Sequence, residues 1–384
     1  MNDIKIKYVG FYDLNLYAQE NRNSFLSATN KMDYIAEVFS QIGLDVEIVS
    51  PSWTKHNSGY YPGRKTQISD KIYHTCGPTF GAKSRILRYF KKIFSWIWLI
   101  FYLLKNTTKN DVLVVYHSTA IIFPIMFFHK LRKNPLILEV EEIYQDVNEF
   151  PNYIKRKEYN FFKIADKYIF PTNLLNQKIN TRNKPYTIIH GTYKVEDNKN
   201  LKFDDNKIHV VYAGTFDPRK GGALAAAAAE FLPENYHVHI IGFGSRQQVL
   251  QLKEKIKRIN KISKAKVTYD GLLKGEDYIN FLQKCHIGLS TQIPEAKYND
   301  TSFPSKILSY MANGLKVVTI RIKSIEESAI GNDVFYYNEQ NPKSIAEVIK
   351  NINLNVPYDS RSIIADLNMK FEKDLRKLLV EKYD

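Results

Sequence analysis

The sequence predicts an α/β protein of two doubly wound, Rossmann-like domains. Three observations carry this: short Val/Ile-rich runs alternate with helical stretches, the alternation stops at one polar segment, and it then restarts. A chain of 384 residues is long enough to bury two such cores.

In the first half the strand-like runs are 4–10, 45–50, 111–117, 136–140, 167–171 and 186–190. They show little polar alternation, as expected of strands covered on both faces. Helical stretches fall between them at Thr29–Ile42, Ser84–Lys105, Thr119–Lys133, Asn152–Ala165 and Asn173–Thr181. This places a first domain at 1–190. Residues 191–207 are polar, charged and poor in aliphatics, and read as a linker. The pattern resumes with strands at 208–214, 236–242, 266–271, 285–290, 315–320 and 333–337. Helices are expected at 220–232, 246–261, 275–284, 303–313 and 341–352, giving a second domain at 208–358. The remainder, 359–384, reads as a long amphipathic helix expected to pack back toward the first domain.

Composition excludes several classes. Cys76 and Cys285 form no CxxC, and no Cys/His group has zinc spacing, so both are expected as reduced thiols of a cytoplasmic protein. The N-terminal MNDIKIKYVGFYD lacks the apolar region of a secretory signal. The longest apolar run, Ile93–Leu104, falls well short of the roughly 20 residues that span a bilayer. The net charge of +15 attracts polyanions, either nucleic acid or an anionic membrane surface. Nucleic acid is disfavoured, because the aromatics lie in apolar runs rather than along a basic stripe. A membrane surface fits better. Lys83, Arg85, Arg88, Lys91 and Lys92 lead into a run containing Trp96, Trp98 and Tyr102, so 83–104 suits peripheral docking on anionic lipid. A buried sheet-covering helix with a solvated basic start is the competing reading.

Three segments carry phosphate-binding character. In VYAGTFDPRKGG, a buried-strand pattern ends at Gly214, and a loop brings Arg219 and Lys220 to a helix starting near Gly221. Free backbone N–H groups, the positive helix end and a mobile lysine then converge. A βα turn with solvated cations is the bland alternative. In YNDTSFPSKILSYMANG, Pro304 fits a first helical turn, with Ser302 or Thr301 as its cap. Ser302, Ser305, Lys306 and Ser309 would share a polar face opposite Phe303, Ile307, Leu308 and Met311. The bland alternative is an ordinary capped amphipathic helix. In IIGFGS, Gly242 and Gly244 mark a tight turn or a close approach by a ligand.

Taken in order, YAGTFDPRKGG, HIIGFGS, VTYDGLLKGEDYINFLQKCHIGLS and FPSKILSYMANGLKVV resemble the C-terminal half of GT-B glycosyltransferases of family four, over about residues 208–350. Many of these retaining enzymes assemble bacterial capsule, exopolysaccharide or lipopolysaccharide. The resemblance implies a GT-B fold, two Rossmann-like domains facing each other across a cleft. It implies transfer of a sugar from a UDP-, GDP- or dTDP-sugar to a hydroxyl of a glycan or lipid-linked acceptor, with no cofactor or metal required. Gly214 and Lys220-Gly221 stand in the family's donor loop, with Thr215 where arginine is common. Lys220 is then the diphosphate ligand, helped by Arg219. The family's paired glutamates are replaced by Thr301 and Ser309, which makes Ser309 the candidate for the ribose and Thr301 for the sugar. The departure also leaves open a variant subgroup in which the segment Pro304-Ser305-Lys306 is the working motif.

The first half matches mainly in pattern. Gly10, with Phe11 and Tyr12, is placed to admit the acceptor, and Glu20-Asn21-Arg22-Asn23 is polar enough to line the cleft. His117 ends a strand, and Glu139, Glu141 and Glu142 end the next. One of these is expected to orient or deprotonate the acceptor hydroxyl. A packed histidine and solvated or salt-bridged carboxylates are the bland readings. His190-Gly191 ends the last strand of the half. A sugar-nucleotide epimerase, a non-catalytic partner of a transferase and, more remotely, a nucleic-acid-binding protein are the alternatives.

Overall fold

The computed structural model describes residues 4–147, 151–296, 299 and 301–380. They form two compact units. Unit 1 takes the chain up to Pro171, then Leu175–Ile189 and the stretch from Phe371, while unit 2 takes Thr172–Leu174 and His190–Lys370.

Unit 1 runs β1 (Lys5–Val9), α1 (Leu26–Gln41), β2 (Asp45–Ser50), β3 (Tyr60–Tyr61), β4 (Arg64–Ser69), β5 (Ile72–Cys76), β6 (Thr79–Phe80) and α2 (Arg85–Asn106). It continues with β7 (Val112–Tyr116), α3 (Ile122–Arg132), β8 (Leu136–Glu139), α4 (Tyr144–Val147), α5 (Asn152–Ile164), β9 (Lys167–Phe170), α6 (Asn173–Ile179) and β10 (Tyr186–Ile188). The main sheet has the order β10-β9-β8-β7-β1-β2-β5-β4, parallel except where β4 pairs antiparallel with β5. Strand order reverses between β1 and β7, so the C-terminal ends of those strands flank the switch point of the sheet. Leu113, Val115, Leu136, Leu138, Phe128 and Phe161 are fully buried in the core on one face. The hairpin of β4 and β5 was not expected from the sequence, because β4 is polar and largely exposed.

Unit 2 runs β11 (Ile208–Thr215), α7 (Gly222–Ala227), β12 (Tyr236–Phe243), α8 (Arg246–Ile262), β13 (Lys266–Gly271), α9 (Gly275–Gln283), β14 (Ile287–Ser290) and α10 (Lys306–Ala312). It ends with β15 (Lys316–Ile320), α11 (Lys323–Glu326), β16 (Phe335–Tyr337), α12 (Pro342–Asn351) and α13 (Ser360–Val380). Its six strands are all parallel in the order β13-β12-β11-β14-β15-β16. The switch point here lies between β11 and β14. The alanine run Ala225–Ala229 is buried, and its small side chains let α7 and the 3-10 turn that follows lie close to β11 and β12.

The segment read as a linker is docked along unit 2. The Glu196 amide donates to the Ala312 carbonyl at 3.1 Å, and Gln283 Nε2 donates to the Asp197 carbonyl at 2.9 Å. In α13, Arg361 donates to the carbonyls of Glu196 and Asn313, and from Phe371 onward the helix groups with unit 1, where Phe371 stacks on Tyr34.

Candidate functional site

At the switch point of unit 2, the loop between β11 and α7 is built around one tyrosine. Tyr212 is fully buried in β11, and its hydroxyl shares its one proton between the carbonyls of Thr215 and Lys220, each at 3.0 Å. That one oxygen draws both ends of the loop together. The loop carries a 3-10 turn, Pro218–Lys220, capped by Asp217, whose carboxylate accepts from the Arg219 amide at 2.9 Å. Gly221 then takes φ +79°, and a Cβ there would stand 1.7 Å from the Thr291 carbonyl oxygen. Only glycine lets the chain turn into α7 against the end of β14. Thr291 completes the join by donating from its hydroxyl to the Gly221 carbonyl at 2.9 Å.

Lys306, the first residue of α10, sends its ammonium to the same place. The nitrogen lies 4.1 Å from the centre of the Tyr212 ring and would be 3.2 Å from a Cβ at Gly214. The stem of Lys306 is partly exposed, but its ammonium nitrogen is buried and has no hydrogen-bond partner among the described residues. Burial, with the Lys220 charge adding to it, pulls the Lys306 pKa down to about 7. A buried cation without a partner is costly, so this arrangement is built for an anion brought from outside. Gln292, just after β14, adds a buried amide nitrogen that likewise lacks a partner among the described residues. A phosphate at this place would meet Lys306, the amide of Gln292 and the first amides of α7.

The structure thus brings Gly214, Thr215, Lys220 and Lys306 together. Other residues stand differently from expectation. Arg219 is well exposed and paired with Asp217 at 2.7 Å. The helix expected from 303 begins at Lys306, so Pro304 lies before it rather than in its first turn. Phe303 is instead buried against the ring of His190, and the Pro304 carbonyl accepts from the Ile307 amide at 3.0 Å. Ser302 and Thr301 therefore do not cap the helix. Ser305 holds that position without a side-chain bond, and the buried Thr301 gives its carbonyl to the Thr172 hydroxyl. Ser309 lies on α10 within 3.1 Å of the Tyr278 hydroxyl. Gly242 takes φ +136°, and a Cβ there would overlap the Gly214 carbonyl at 1.8 Å, so its role is to let β12 run beside β11. Gly244 leads into α8, whose first turn is closed by Ser245 and Gln248 in a reciprocal cap. Tyr212, Thr291 and Gln292 were not singled out from sequence. Strand-end polar residues beside a glycine-rich loop were the available signal.

The C-terminal ends of the unit 1 strands hold a different group. Glu139, at the end of β8, is fully buried and accepts a hydrogen bond from the Tyr8 hydroxyl of β1. Burial raises its pKa well above the ordinary carboxylate range. Glu141 is partly exposed and pairs with Lys31 of α1, whose ammonium also donates to the Ile189 carbonyl at 3.2 Å. Glu141 is salt-bridged, and Glu139 is a carboxyl enclosed as deeply as the core around it. His117 does not have an accessible ring. It is enclosed by Tyr144, Phe161 and Phe162, and burial lowers its pKa to about 3, so it is a neutral packed imidazole. Gly10 admits Met32 of α1, whose sulfur would be 2.7 Å from a Cβ there. Arg22 does not line an open surface either: it is buried, donating to the Gly77 carbonyl at 2.6 Å and to Glu20 at 2.6 Å. Phe11 and Tyr12 are also buried.

Comparison with known proteins bears on the fold. Residues 207–354, which span the whole sheet of unit 2, match the family model described as Glycosyl transferases group 1. Among solved structures, the chain is similar to one described as trehalose-6-phosphate from E. coli bound with UDP-2-fluoro glucose, at 11% identity and a TM-score of 0.68, over 98% of this chain and 99% of that one. It is similar to sucrose-phosphate synthase from Thermosynechococcus elongatus at 12% identity and a TM-score of 0.65, over 98% and 94%. A UDP-forming α,α-trehalose-phosphate synthase from Burkholderia xenovorans in complex with glucose-6-phosphate follows at 10% and 0.63, over 97% and 100%. At such identities the likeness is one of fold, and the fold is GT-B, two Rossmann-like units in one chain. No curated protein matches the sequence.

Proposed function

We propose that the chain is a glycosyltransferase that moves a sugar from a nucleoside-diphosphate sugar to a hydroxyl of a lipid-linked or glycan acceptor in bacterial surface-polysaccharide synthesis, with retention. The observation that carries the donor assignment is the buried ammonium of Lys306 beside the Gly214–Gly221 loop. In such a reaction the sugar–phosphate bond breaks and negative charge develops on the leaving diphosphate. Lys306, Lys220 and the first amides of α7 would be the donors to that charge, and a preorganised site of this kind lowers the barrier. Glu139 is the candidate to orient or deprotonate the acceptor hydroxyl, from its place at the C-terminal end of β8.

The acceptor assignment rests on the surface of unit 1. Helix α2 buries only the stripe Lys91, Ser95, Leu99 and Leu103. Ile86, Phe90, Ile97 and Phe101 are exposed on its other side. Phe123 and Phe127 of α3 are exposed as well, and Trp96 meets Phe123 at 5.5 Å, so the two apolar faces join. Exposed Lys83, Arg85, Arg88 and Lys92 flank them. This combination supports a surface that lies in the headgroup region of an anionic membrane, within reach of lipid-linked acceptors. Lys91 takes no part, because its buried ammonium donates to the Thr54 carbonyl at 2.7 Å. No described helix is long and apolar enough to cross a membrane.

The test has two arms. Incubation with UDP-, GDP- and dTDP-sugars should raise the melting temperature with one nucleotide, and a lipid-linked acceptor extract should then gain the matching sugar by mass spectrometry. Cosedimentation with phosphatidylglycerol vesicles should drop at least fivefold in Phe90→Glu/Phe101→Glu. Stabilisation by no nucleotide would remove the transferase reading. Undiminished vesicle binding would remove the membrane surface alone.

A further inference from the structure

The opposite end of the unit 2 sheet carries a second group of side chains that the nucleotide site does not use. His209 is the second residue of β11, and His237 and His239 are the second and fourth of β12. The parallel register sets His209 beside His237, and the strand repeat of two puts all three on one face. Gly214 lies five residues beyond His209 along β11, so about 17 Å separates this group from the loop.

The three rings gather closely. The centroids of His237 and His239 are 3.9 Å apart, and one ring nitrogen from each of His209, His237 and His239 lies within 4.8 Å of the others. Nδ1 of His209 faces Nε2 of His239 at 2.9 Å. The remaining nitrogens are held from outside. His209 Nε2 meets Asp205 at 2.7 Å, His239 Nδ1 meets Asp270 at 3.1 Å, and His237 Nε2 meets the Thr268 hydroxyl at 3.1 Å. Carboxylates or hydroxyls that engage one imidazole nitrogen while the other points inward are the pattern that orients metal-ligating histidines. Phe203 lies flat over His239 and His209, closing the group on one side. A cavity of about 510 Å³, lined in part by Phe203, Asp205, His209 and His286, reaches the group at His209.

We propose that His209, His237 and His239 hold one divalent transition-metal ion of the Zn²⁺ type, with Asp205 and Asp270 fixing two of the rings. Three imidazoles suit Zn²⁺, Co²⁺ or Ni²⁺ rather than Mg²⁺ or Ca²⁺. Ligand nitrogens in a tetrahedral zinc site stand about 3.4 Å apart, so the His209–His239 pair opens by a few tenths of an ångström and His237 closes in. The ion would tie β11 to β12 and lock the sheet below the donor loop, and the site stands whether or not the protein is a transferase.

The test uses the full chain without a histidine tag, stripped by chelator and dialysed against Zn²⁺ or Co²⁺ at pH 7.5. The expected result is one equivalent of Zn²⁺ retained, a melting temperature that rises with Zn²⁺ concentration, and Co²⁺ visible bands of four-coordinate nitrogen and oxygen ligation with no thiolate charge transfer. His237→Ala, at the most exposed of the three, should weaken Zn²⁺ at least 100-fold, and Asp270→Asn about 10-fold. Retention of less than a tenth of an equivalent by the unsubstituted chain would overturn the proposal. So would Zn²⁺ retention and Co²⁺ bands unchanged in His237→Ala. If that variant fails to fold, the stoichiometry and spectrum of the unsubstituted chain decide the question.

Discussion

In unit 2 the buried ammonium of Lys306 meets a tyrosine ring and the field of Lys220, with no hydrogen-bond partner among the described residues. In unit 1 the ammonium of Lys31, also at the C-terminal end of a parallel sheet, meets Glu141 and the Ile189 carbonyl. Both lysines are withdrawn from water, yet among the described residues one has a carboxylate partner and the other has none. Desolvation is tolerated in the first case because it is compensated on the spot. In the second it is a standing cost that a diphosphate would remove. The difference separates a structural ion pair from a binding site more sharply than burial alone.

Three experiments can break that comparison. The largest effect is expected from Lys306→Met. It should lower UDP affinity about 100-fold, or ~2.7 kcal/mol, by calorimetry. The melting temperature should hold or rise, since an unpaired buried charge is gone. A fall in melting temperature with affinity intact would make Lys306 structural.

Lys31→Met should do the reverse. It leaves Glu141 without its cation, so denaturant unfolding should show a loss of about 2 kcal/mol while the dissociation constant for UDP stays put. Weakened UDP binding with normal stability would erase the contrast.

The smallest effect is in pH. The Lys306 pKa is about 7 in the fold, against an ordinary 10.5. Between those values the unfolded chain holds a proton that the folded chain rejects. The cost to stability is therefore complete below about pH 7 and fades as pH rises toward 10.5. Binding runs the other way, because the diphosphate favours the ammonium. Above pH 7 the dissociation constant for UDP should climb by up to about tenfold per unit, with proton uptake visible as a buffer-dependent heat. A constant affinity from pH 6.5 to 8.5 would refute it.

Much of this was legible in the sequence, and the failures have physical causes. Continuous Val/Ile runs marked most strands of both parallel sheets, because burial on two faces leaves no room for polar alternation. The β4–β5 pair escaped notice because β4 (RKTQIS) is an exposed polar strand with no such run. The loop from Gly214 to Lys220 was readable as local chemistry. Lys306 was identified, but its helix begins three residues later than expected, because Phe303 follows a tertiary demand and packs on His190. His117 and Arg22 were read as cleft residues from their place at strand ends and in polar segments. Their burial depends on Phe161, Phe162 and the Gly77 carbonyl, all remote in sequence. The histidine group has no spacing signature either, since it is created by the register of β11 against β12.

Tyr212 gives the donor loop a property beyond shape. Its ring holds the Lys306 ammonium by its π-face, an attraction of about 0.5–2 kcal/mol. Among the described residues an arriving phosphate then has no salt bridge of Lys306 to dismantle, and displaces only a weak placeholder. The same side chain's hydroxyl tethers the loop, so the cation is kept in position before any ligand comes. Capture then requires little rearrangement, and the rate of association should be set by how fast the anion arrives.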